Sequence, residues 1–274
     1  MDLPNIRKMD LTALREVRRH RIYLLPVSIG LAGLCWFLVA QLGNFPAFIL
    51  PTPDLVWERF LQVVANGTLL RNSAVTLSEV LAGLALGTSA ATALGYLLAK
   101  SRSFERLLAP YIVASQSVPV VAIAPLLVIW FGPGLLSKVL ICALIVFFPV
   151  LVNTVVGLRS VPEELHDLMR SLQASPLQTF LYLEVPASLP VFLGGLRIGA
   201  TLAVIGAVVG EFVGADQGLG FLINVGRGQY DTALVFVAVF ALIIMALSLY
   251  GIVVWFESRW LSWYQRPEQP VQNQ

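Results

Sequence analysis

The chain has 274 residues, of which 57% are hydrophobic and 12% charged, and its mean hydropathy is +0.80. This balance excludes an ordinary soluble globular domain and identifies an integral membrane protein. The net charge of +2 excludes the strongly basic surface of a nucleic-acid-binding protein. Cys35 and Cys142 lie inside apolar runs, so we expect lipid-facing or core residues there rather than a disulfide or metal pair.

Six apolar stretches are each about twenty residues long, which is enough to cross a bilayer as a helix. They are Ile22–Leu42, Val75–Ala99, Leu107–Trp130, Leu136–Leu158, Leu189–Val213 and Ala233–Phe256. The sequence therefore predicts an all-α membrane protein with about six transmembrane helices. Residues 22–264 form the predicted transmembrane domain.

Basic residues are concentrated on one side of these stretches. They occur in the first 21 residues and after the second, fourth and sixth stretches, as Arg7, Lys8, Arg15, Arg18, Arg19, Arg21, Lys100, Arg102, Arg106, Arg159, Arg170, Arg259 and Arg266. The positive-inside rule therefore predicts a cytoplasmic N-terminal segment, residues 1–21. An even number of spans returns the tail, residues 265–274, to the cytoplasm.

Two segments are expected on the external side. Residues 44–74 contain three prolines and then a stripe of apolar residues, which predicts a short helix on the membrane surface. The stripe consists of Leu55, Phe60, Leu61 and Val64. Residues 214–231 are rich in glycine and are expected to form a loop.

The polar segment between the fourth and fifth stretches, residues 160–188, is predicted to be a cytoplasmic hairpin of two short helices. Ser160 with Glu163, and Ser175 with Gln178, have capping-box spacing. Pro186 is expected to end the second helix. An ordinary loop with interfacial helices is the alternative that the periodicity leaves open.

The first helix of this hairpin has one predicted apolar face, formed by Leu165, Leu168, Met169 and Leu172 at positions i, i+3, i+4 and i+7. The second helix begins favourably, because Pro176 suits the first turn of a helix.

The hairpin resembles the cytoplasmic loop of binding-protein-dependent ABC importer permeases. The pattern of that loop is Glu-Ala-Ala, three residues, Gly, nine residues, then Ile-x-Leu-Pro. Asp167, Leu168 and Met169 occupy the Glu-Ala-Ala positions, Gln173 the Gly position, and Leu183, Val185 and Pro186 the last positions. The turn must therefore be made by Gln173 or Ala174 without the freedom of glycine at positive φ.

Three further segments, SVPVVAIAPLLVIWFG, GEFVGADQGLGFLI and DTALVFVAVFALIIMALSLYG, resemble permeases for nitrate, sulfonate, taurine, and thiamine-precursor or riboflavin uptake. The resemblance covers about residues 50–263. It implies a type I ABC importer-like fold in the bacterial cytoplasmic (inner) membrane. It also implies a second copy of the chain, a cytoplasmic ABC ATPase dimer and an external or lipid-anchored solute-binding protein as partners.

On this resemblance, the first hairpin helix is a coupling helix that docks into a groove of the ATPase. The implied coupling residues are Glu164, Leu165, Asp167, Leu168, Met169, Ser171, Leu172, Gln173, Ala174, Ser175 and Pro186. The chain has no Gly-Lys-Ser/Thr phosphate-binding loop. ATP and Mg are therefore expected on the partner, and this chain is expected to need no cofactor and to be no enzyme.

Charged and polar residues inside the spans are candidates for the solute pathway, because a charge at the centre of a membrane helix is costly. Glu79, Glu211, Ser115, Gln116 and Asn153 are the candidates. For each of them a structural role remains the alternative. Arg197 is expected to snorkel to the interface or to form a structural ion pair.

Three pairs of glycines have the spacing that allows helices to approach closely. They are Gly83 with Gly87, Gly195 with Gly199, and Gly206 with Gly210. Whether they lie within one subunit or between two is left open by the sequence.

An ion-coupled secondary transporter is the alternative function, with Glu79 and Glu211 carrying the coupling ion. A membrane scaffold or enzyme is a third possibility, although no catalytic constellation is evident. ATP dependence of transport would distinguish the first two. The solute is not specified by the sequence; the resemblance ranks a pyrimidine-type vitamin precursor or riboflavin ahead of a sulfonate, taurine or nitrate.

Overall fold

The computed structural model describes residues 27–28, 30–43 and 45–261, and every regular element within them is helical. The predicted all-α fold is confirmed. The helices are α1 (Gly30–Leu42), α2 (Pro53–Ala65), α3 (Thr68–Lys100), α4 (Arg102–Gln116), α5 (Val120–Phe131), α6 (Leu135–Arg159), α7 (Glu163–Ser171), α8 (Pro176–Thr179), α9 (Val185–Gly214), α10 (Leu219–Gly228) and α11 (Thr232–Trp260). The predicted N-terminal segment, the start of the first predicted span and the predicted tail lie outside the described residues.

Four helical runs in the described part of the chain are long and apolar enough to cross a membrane: α3, α6, the continuous run Pro176–Gly214, and α11. They contain the second, fourth, fifth and sixth predicted spans. The first predicted span is represented by the shorter apolar helix α1.

The third predicted span, Leu107–Trp130, is not a continuous helix. It is divided into α4 and α5, which meet at an angle of 93°. Pro119 explains the break, because proline has no N–H to donate and disfavours helical backbone at the preceding residue. If α4 and α5 are counted together as one broken span, the described residues contain five spans. The shorter helix α1 accounts for the remaining one of the six predicted spans.

The core lies where α6 packs between α3 and α9. A Cβ atom added to Gly83 would lie 2.2 Å from Cys142 Cβ, and one added to Gly206 would lie 2.8 Å from Cys142 Cα. Both crossings therefore depend on the absence of a side chain. Cys142 is fully buried there, and neither it nor the exposed Cys35 of α1 forms a disulfide.

All three predicted glycine pairs pack against α6 of the same chain. The residues of α6 that their added Cβ atoms would meet are Lys138, Val139, Ile141, Cys142, Ala143, Val146, Val150 and Asn153. These six glycines therefore pack helices together within one subunit. The sequence alone had left open whether they lie within one subunit or between two.

The helix predicted for the membrane surface is present as α2, and the contact of its apolar stripe with the membrane stays a prediction. Val56 and Val63 are its buried residues, and they pack against Leu234 and Val237 at the start of α11. Leu55, Leu61 and Val64 are exposed. The glycine-rich segment 214–231 is also more ordered than expected, because it contains α10.

Replacing Gly206 with alanine is predicted to destabilise the protein by about 1–3 kcal/mol, because the new methyl group meets the backbone of α6 rather than a movable side chain. The measurement is the temperature at which half of the detergent-purified protein no longer elutes as a single species after heating. Gly251→Ala is the matched control, since a Cβ there has nothing within 4 Å. Equal effects of the two substitutions would contradict the prediction.

Candidate functional site

The helix bundle has two ends that differ in chemistry. The α7–α8 hairpin lies at the end where α3 and α6 terminate, and we call this the hairpin end. The N-terminus of α10 packs at the opposite end, beside the last turn of α9, and we call this the α10 end. Candidate functional residues occur at both.

The two hairpin helices begin differently from each other. Ser175 caps α8 as predicted: its hydroxyl accepts a bond from the Gln178 N–H, and the Gln178 side chain accepts one from the Ser175 N–H at 2.7 Å. The predicted capping box at Ser160 is wrong, because its hydroxyl donates to the Gly157 carbonyl at the end of α6. α7 instead begins after Pro162, with Glu163 and Glu164 in its first turn, where they complement the helix dipole.

Gln173 makes the turn between the two hairpin helices. Its φ is +54°, one of two positive φ values among the described residues other than glycine. The residue that occupies the family's Gly position therefore adopts the backbone conformation that favours glycine. This explains why the hairpin keeps its register although the glycine is absent.

α7 has one apolar face and one polar face. The exposed fractions of Leu165, Leu168 and Leu172 are 40%, 53% and 68%, whereas Met169 is half-buried, so the three leucines are left uncovered by the described residues. Glu163, His166 and Arg170 face the bundle and line a cleft of 310 Å³ at the hairpin end. The helix thus offers its apolar face away from the bundle.

Glu184 joins α7 to the bundle. Its side chain is buried, its carboxylate pairs with the Lys100 ammonium at the end of α3, and its Oε1 lies 3.4 Å from His166 Nε2 on α7. One carboxylate therefore contacts two other helices, α3 and α7.

Pro186 does not end the second hairpin helix, which corrects the prediction from sequence. The chain remains helical from Pro176 to Gly214, with a π-helical turn over Phe180–Glu184. The wider turn accommodates a proline, whose missing N–H and bulky ring are incompatible with an undisturbed α-turn. The hairpin and α9 consequently form one connected element.

A buried cluster of polar side chains lies at the α10 end. We call it the polar cluster; its members are Asn72, Thr76 and Glu79 of α3, Lys138 of α6 and Glu211 of α9. Lys138 Nζ lies 3.1 Å from Glu79 Oε1, and the Thr76 hydroxyl lies 2.6 Å from Glu211 Oε1. Glu79, Lys138 and Glu211 are at most 4% exposed.

Lys138 is missing from the candidates that the sequence suggested. The signal was present, since this lysine lies inside the predicted span Leu136–Leu158. The other charged candidate, Arg197, forms the expected ion pair: its Nε lies 3.3 Å from Glu257 Oε2 on α11. A lysine inside a span predicts a carboxylate partner on a neighbouring helix.

The five predicted pathway residues have three different environments. Ser115 and Gln116 are exposed at the break between α4 and α5. Asn153 is half-buried against Gly195, and its amide donates to the Pro149 carbonyl at 2.8 Å. Glu79 and Glu211 are enclosed among the helices of this chain rather than facing open space. Of these three environments, only the first two leave the side chains exposed or partly exposed.

Comparison with known proteins identifies the class of this chain. A profile described as "Binding-protein-dependent transport system inner membrane component" matches residues 83–262. The chain is also 47% identical to the riboflavin transport system permease protein RibX of Chloroflexus aurantiacus, over 87% of this chain and 89% of that protein. The chain therefore belongs to the family of inner-membrane permease subunits of binding-protein-dependent ABC importers.

Two other relatives illustrate the range of the family. The formylaminopyrimidine transport permease protein ThiX of Halalkalibacterium halodurans is 36% identical, over 84% of this chain and 92% of that protein. The taurine transport system permease protein TauC of Escherichia coli is 32% identical, over 81% of this chain and 85% of that protein. Family membership makes the chain a transporter subunit, and not a secondary carrier, scaffold or catalytic enzyme.

Solved structures with the same fold are ABC transporters. An inward-facing structure of the MetNI methionine ABC transporter aligns with a TM-score of 0.63 and 18% identity, over 70% of this chain and 96% of that chain. An amino acid ABC transporter determined with histidines gives a TM-score of 0.56 and 17% identity, over 73% of this chain and 98% of that chain. The type I importer-like fold is thereby confirmed.

Replacing Gln173 with glycine is predicted to stabilise the hairpin by about 1 kcal/mol, since it removes the cost of a side chain in left-handed backbone. Ala174→Gly is the matched control in the same turn. It has no positive φ to relieve and is expected to lower stability by about 0.5–1 kcal/mol through added freedom of the unfolded chain. Hydrogen exchange of the α7 and α8 amides measures both effects. Faster exchange in Gln173→Gly would contradict the prediction.

Proposed function

We propose that this permease works as a homodimer with a cytoplasmic ABC ATPase dimer and an external or lipid-anchored solute-binding protein. ATP and Mg are held by the ATPase. The observation that carries the proposal is α7: an amphipathic helix with an uncovered apolar face at a basic end of the bundle. Such a face, with Leu165, Leu168 and Leu172 exposed, suits a hydrophobic groove on a partner protein.

The coupling surface is the apolar face of α7 together with the turn that follows it. The proposed coupling residues are Glu164, Leu165, Asp167, Leu168, Met169, Ser171, Leu172, Gln173, Ala174 and Ser175, with Pro186 at the base of the hairpin. Docking would bury the leucines, while the exposed Asp167–Arg170 pair would remain at the edge.

Movement of α7 would reach the membrane helices through two connections. The first is covalent, because the hairpin continues through the π-helical turn into α9. The second is the buried carboxylate of Glu184, which contacts Lys100 and His166. Closure of the ATPase dimer would draw two copies of α7 together, and α3 and α9 would turn with them from an inward-facing to an outward-facing state.

The hairpin end is the cytoplasmic end in this proposal. Most of the exposed basic residues in the described part of the chain lie there, as Lys100, Arg102, Arg106, Arg159, Arg170 and Arg259, and cytoplasmic ends of membrane proteins carry such an excess. The N-terminal segment 1–21 and the tail 265–274 would then also be cytoplasmic. Residues 22–264 would constitute the transmembrane domain, with the coupling loop at 160–188.

The solute pathway is proposed to run between two copies of the chain. Ser115 and Gln116 at the break of α4 and α5, and Asn153 on α6, are the accessible polar candidates. A helix break exposes backbone groups that can bind a solute within the membrane. Glu79 and Glu211 are less suited to contact solute, because both are buried inside one subunit.

Simultaneous replacement of Leu168 and Met169 with aspartate is predicted to release the ATPase. Docking would place two unpaired carboxylates in an apolar groove, which costs several kcal/mol. The measurement is the amount of ATPase that co-purifies with the tagged permease from mild detergent. Retention of the ATPase at the wild-type level would contradict the assignment of α7.

Leu177→Asp is the matched control for that experiment. Leu177 is also an exposed leucine of the hairpin, but it lies on α8 rather than on the apolar face of α7. The control is expected to retain the ATPase. Equal loss in the control would show that docking is not confined to α7.

A nitrogen-containing heteroaromatic solute is the proposed cargo. The relative named for riboflavin is 47% identical to this chain and the one named for formylaminopyrimidine 36%, whereas those named for aliphatic sulfonates and taurine are 31% and 32% identical.

Cells that depend on this transport system are predicted to take up labelled riboflavin, and a tenfold excess of unlabelled riboflavin should suppress uptake. The same excess of taurine is the control and should have no effect. Suppression by taurine alone would exclude the heteroaromatic class.

A further inference from the structure

The N-terminus of α10 is held by side chains from two other helices. The N–H groups of Gly218, Leu219 and Gly220 donate in turn to Asn72 Oδ1 at 2.7 Å, to the Thr76 hydroxyl at 2.8 Å, and to the Glu211 carboxylate. The first N–H groups of a helix have no partner within that helix. Here each of the three is satisfied by a different side chain of α3 or α9.

The fit between Glu211 and the start of α10 leaves no room for other side chains. A Cβ atom on Gly218 would lie 2.3 Å from the carboxylate carbon of Glu211, and one on Gly220 would lie 2.8 Å from its Oε2. Gly218 also has a φ of +114°, which L-residues with side chains rarely adopt. The two glycines are therefore required by the position of one carboxylate.

Charge reinforces this arrangement. The carboxylate of Glu211 lies at the positive end of the α10 dipole, where a negative charge is stabilising. Glu79 and Lys138, paired at 3.1 Å, complete the polar cluster. Because the cluster is buried, an opened contact would leave polar groups without partners, which is far more costly than at a surface. The N-terminus of α10 is thereby fixed to α3 and α9, and the Glu79–Lys138 pair joins α3 to α6.

Towards its C-terminus α10 packs on α11, where Leu222 and Ile223 are buried with Ala238, and the polar contacts beyond this cluster are more open to solvent. Asp231, after the helix, caps α11 and pairs with Arg59 of α2 at 2.7 Å, with side chains 23% and 31% exposed. Arg227, Gln229 and Tyr230 are exposed beside them. A partner approaching the α10 end could contact this part of α10 while the buried part stays fixed.

We propose that the polar cluster is a positioning device for transport: it makes α10 move as one body with α3, α6 and α9. Through this connection, docking of the solute-binding protein at the α10 end alters the same helices that the ATPase drives from the hairpin end. The inference rests on the proposed function for its partners. The hydrogen bonds that join Asn72, Thr76 and Glu211 to the N-terminus of α10, which we call the clamp, are a property of this chain alone.

Thr76→Val tests the clamp with minimal change of shape. The substitution removes the acceptor for the Leu219 N–H and the donor to Glu211, while volume is retained. Thr154→Val is the matched control: Thr154 is also buried, but its hydroxyl donates to the Val150 carbonyl of its own helix. Thr76→Ser restores the hydroxyl and should restore the wild-type behaviour.

Two quantities are measured on the assembled transporter in lipid nanodiscs. The first is hydrogen exchange of the α10 amides, which is expected to rise about tenfold in Thr76→Val and to change less than about twofold in Thr154→Val. The second is ATPase activity with and without the solute-loaded binding protein. In Thr76→Val the stimulated activity should fall several-fold while the basal activity is retained.

The outcomes separate this inference from the proposed function. Unchanged exchange and unchanged stimulation in Thr76→Val would overturn the positioning role, as would equal effects of Thr154→Val. Faster exchange with normal stimulation would also overturn it, because α10 would then be loosened without consequence for transport. Failure of the ATPase to co-purify with the wild-type chain would refute the proposed function, whereas the exchange experiment on the permease alone would still test the clamp.

Discussion

The close approach of α3 and α9 to α6 is the constraint on which the rest of the structure depends. Gly83 and Gly206 meet the two sides of Cys142 at distances that exclude any side chain. In a bilayer the lipid is as apolar as the helix surfaces, so close packing rather than hydrophobic burial holds such helices together. Because these three helices are packed closely at their crossing, we expect displacement at one end to be accompanied by displacement at the other.

Both ends of this packed unit use a buried carboxylate to attach a peripheral helix. Glu184 contacts Lys100 and His166 at the hairpin end, and Glu211 receives the N-terminus of α10 at the other. In each case the charge is partnered, as burial requires. The peripheral helices α7 and α10 are much shorter than α3, α6 and α9. Both lie at ends of the bundle where partner proteins of an importer are expected to dock.

The α7–α8 hairpin shows how a motif can keep its geometry after its residues have changed. Gln173 stands at the position of the family's glycine and adopts a positive φ there, at a local cost in backbone energy. The register of the loop was predictable because helix caps and apolar spacing are local properties, as Ser175 and Leu168 illustrate. The start of α7 was not predictable from spacing alone, because Ser160 bonds to the end of α6 instead.

The sequence by itself determined the membrane-spanning class, the approximate positions of the long helices, and the family, since hydropathy and motif spacing are written along the chain. Tertiary structure decided which polar residues meet. Glu79 and Glu211 are far apart in sequence and were candidates for the solute pathway, yet Lys138 and Thr76 enclose them within one subunit. It also decided that α4 and α5 separate at Pro119 by 93°, and that Pro186 leaves a helix uninterrupted. The physical reason is the same throughout: a buried charge or a proline needs compensation, and the group that supplies it comes from another helix or from the turn beside it.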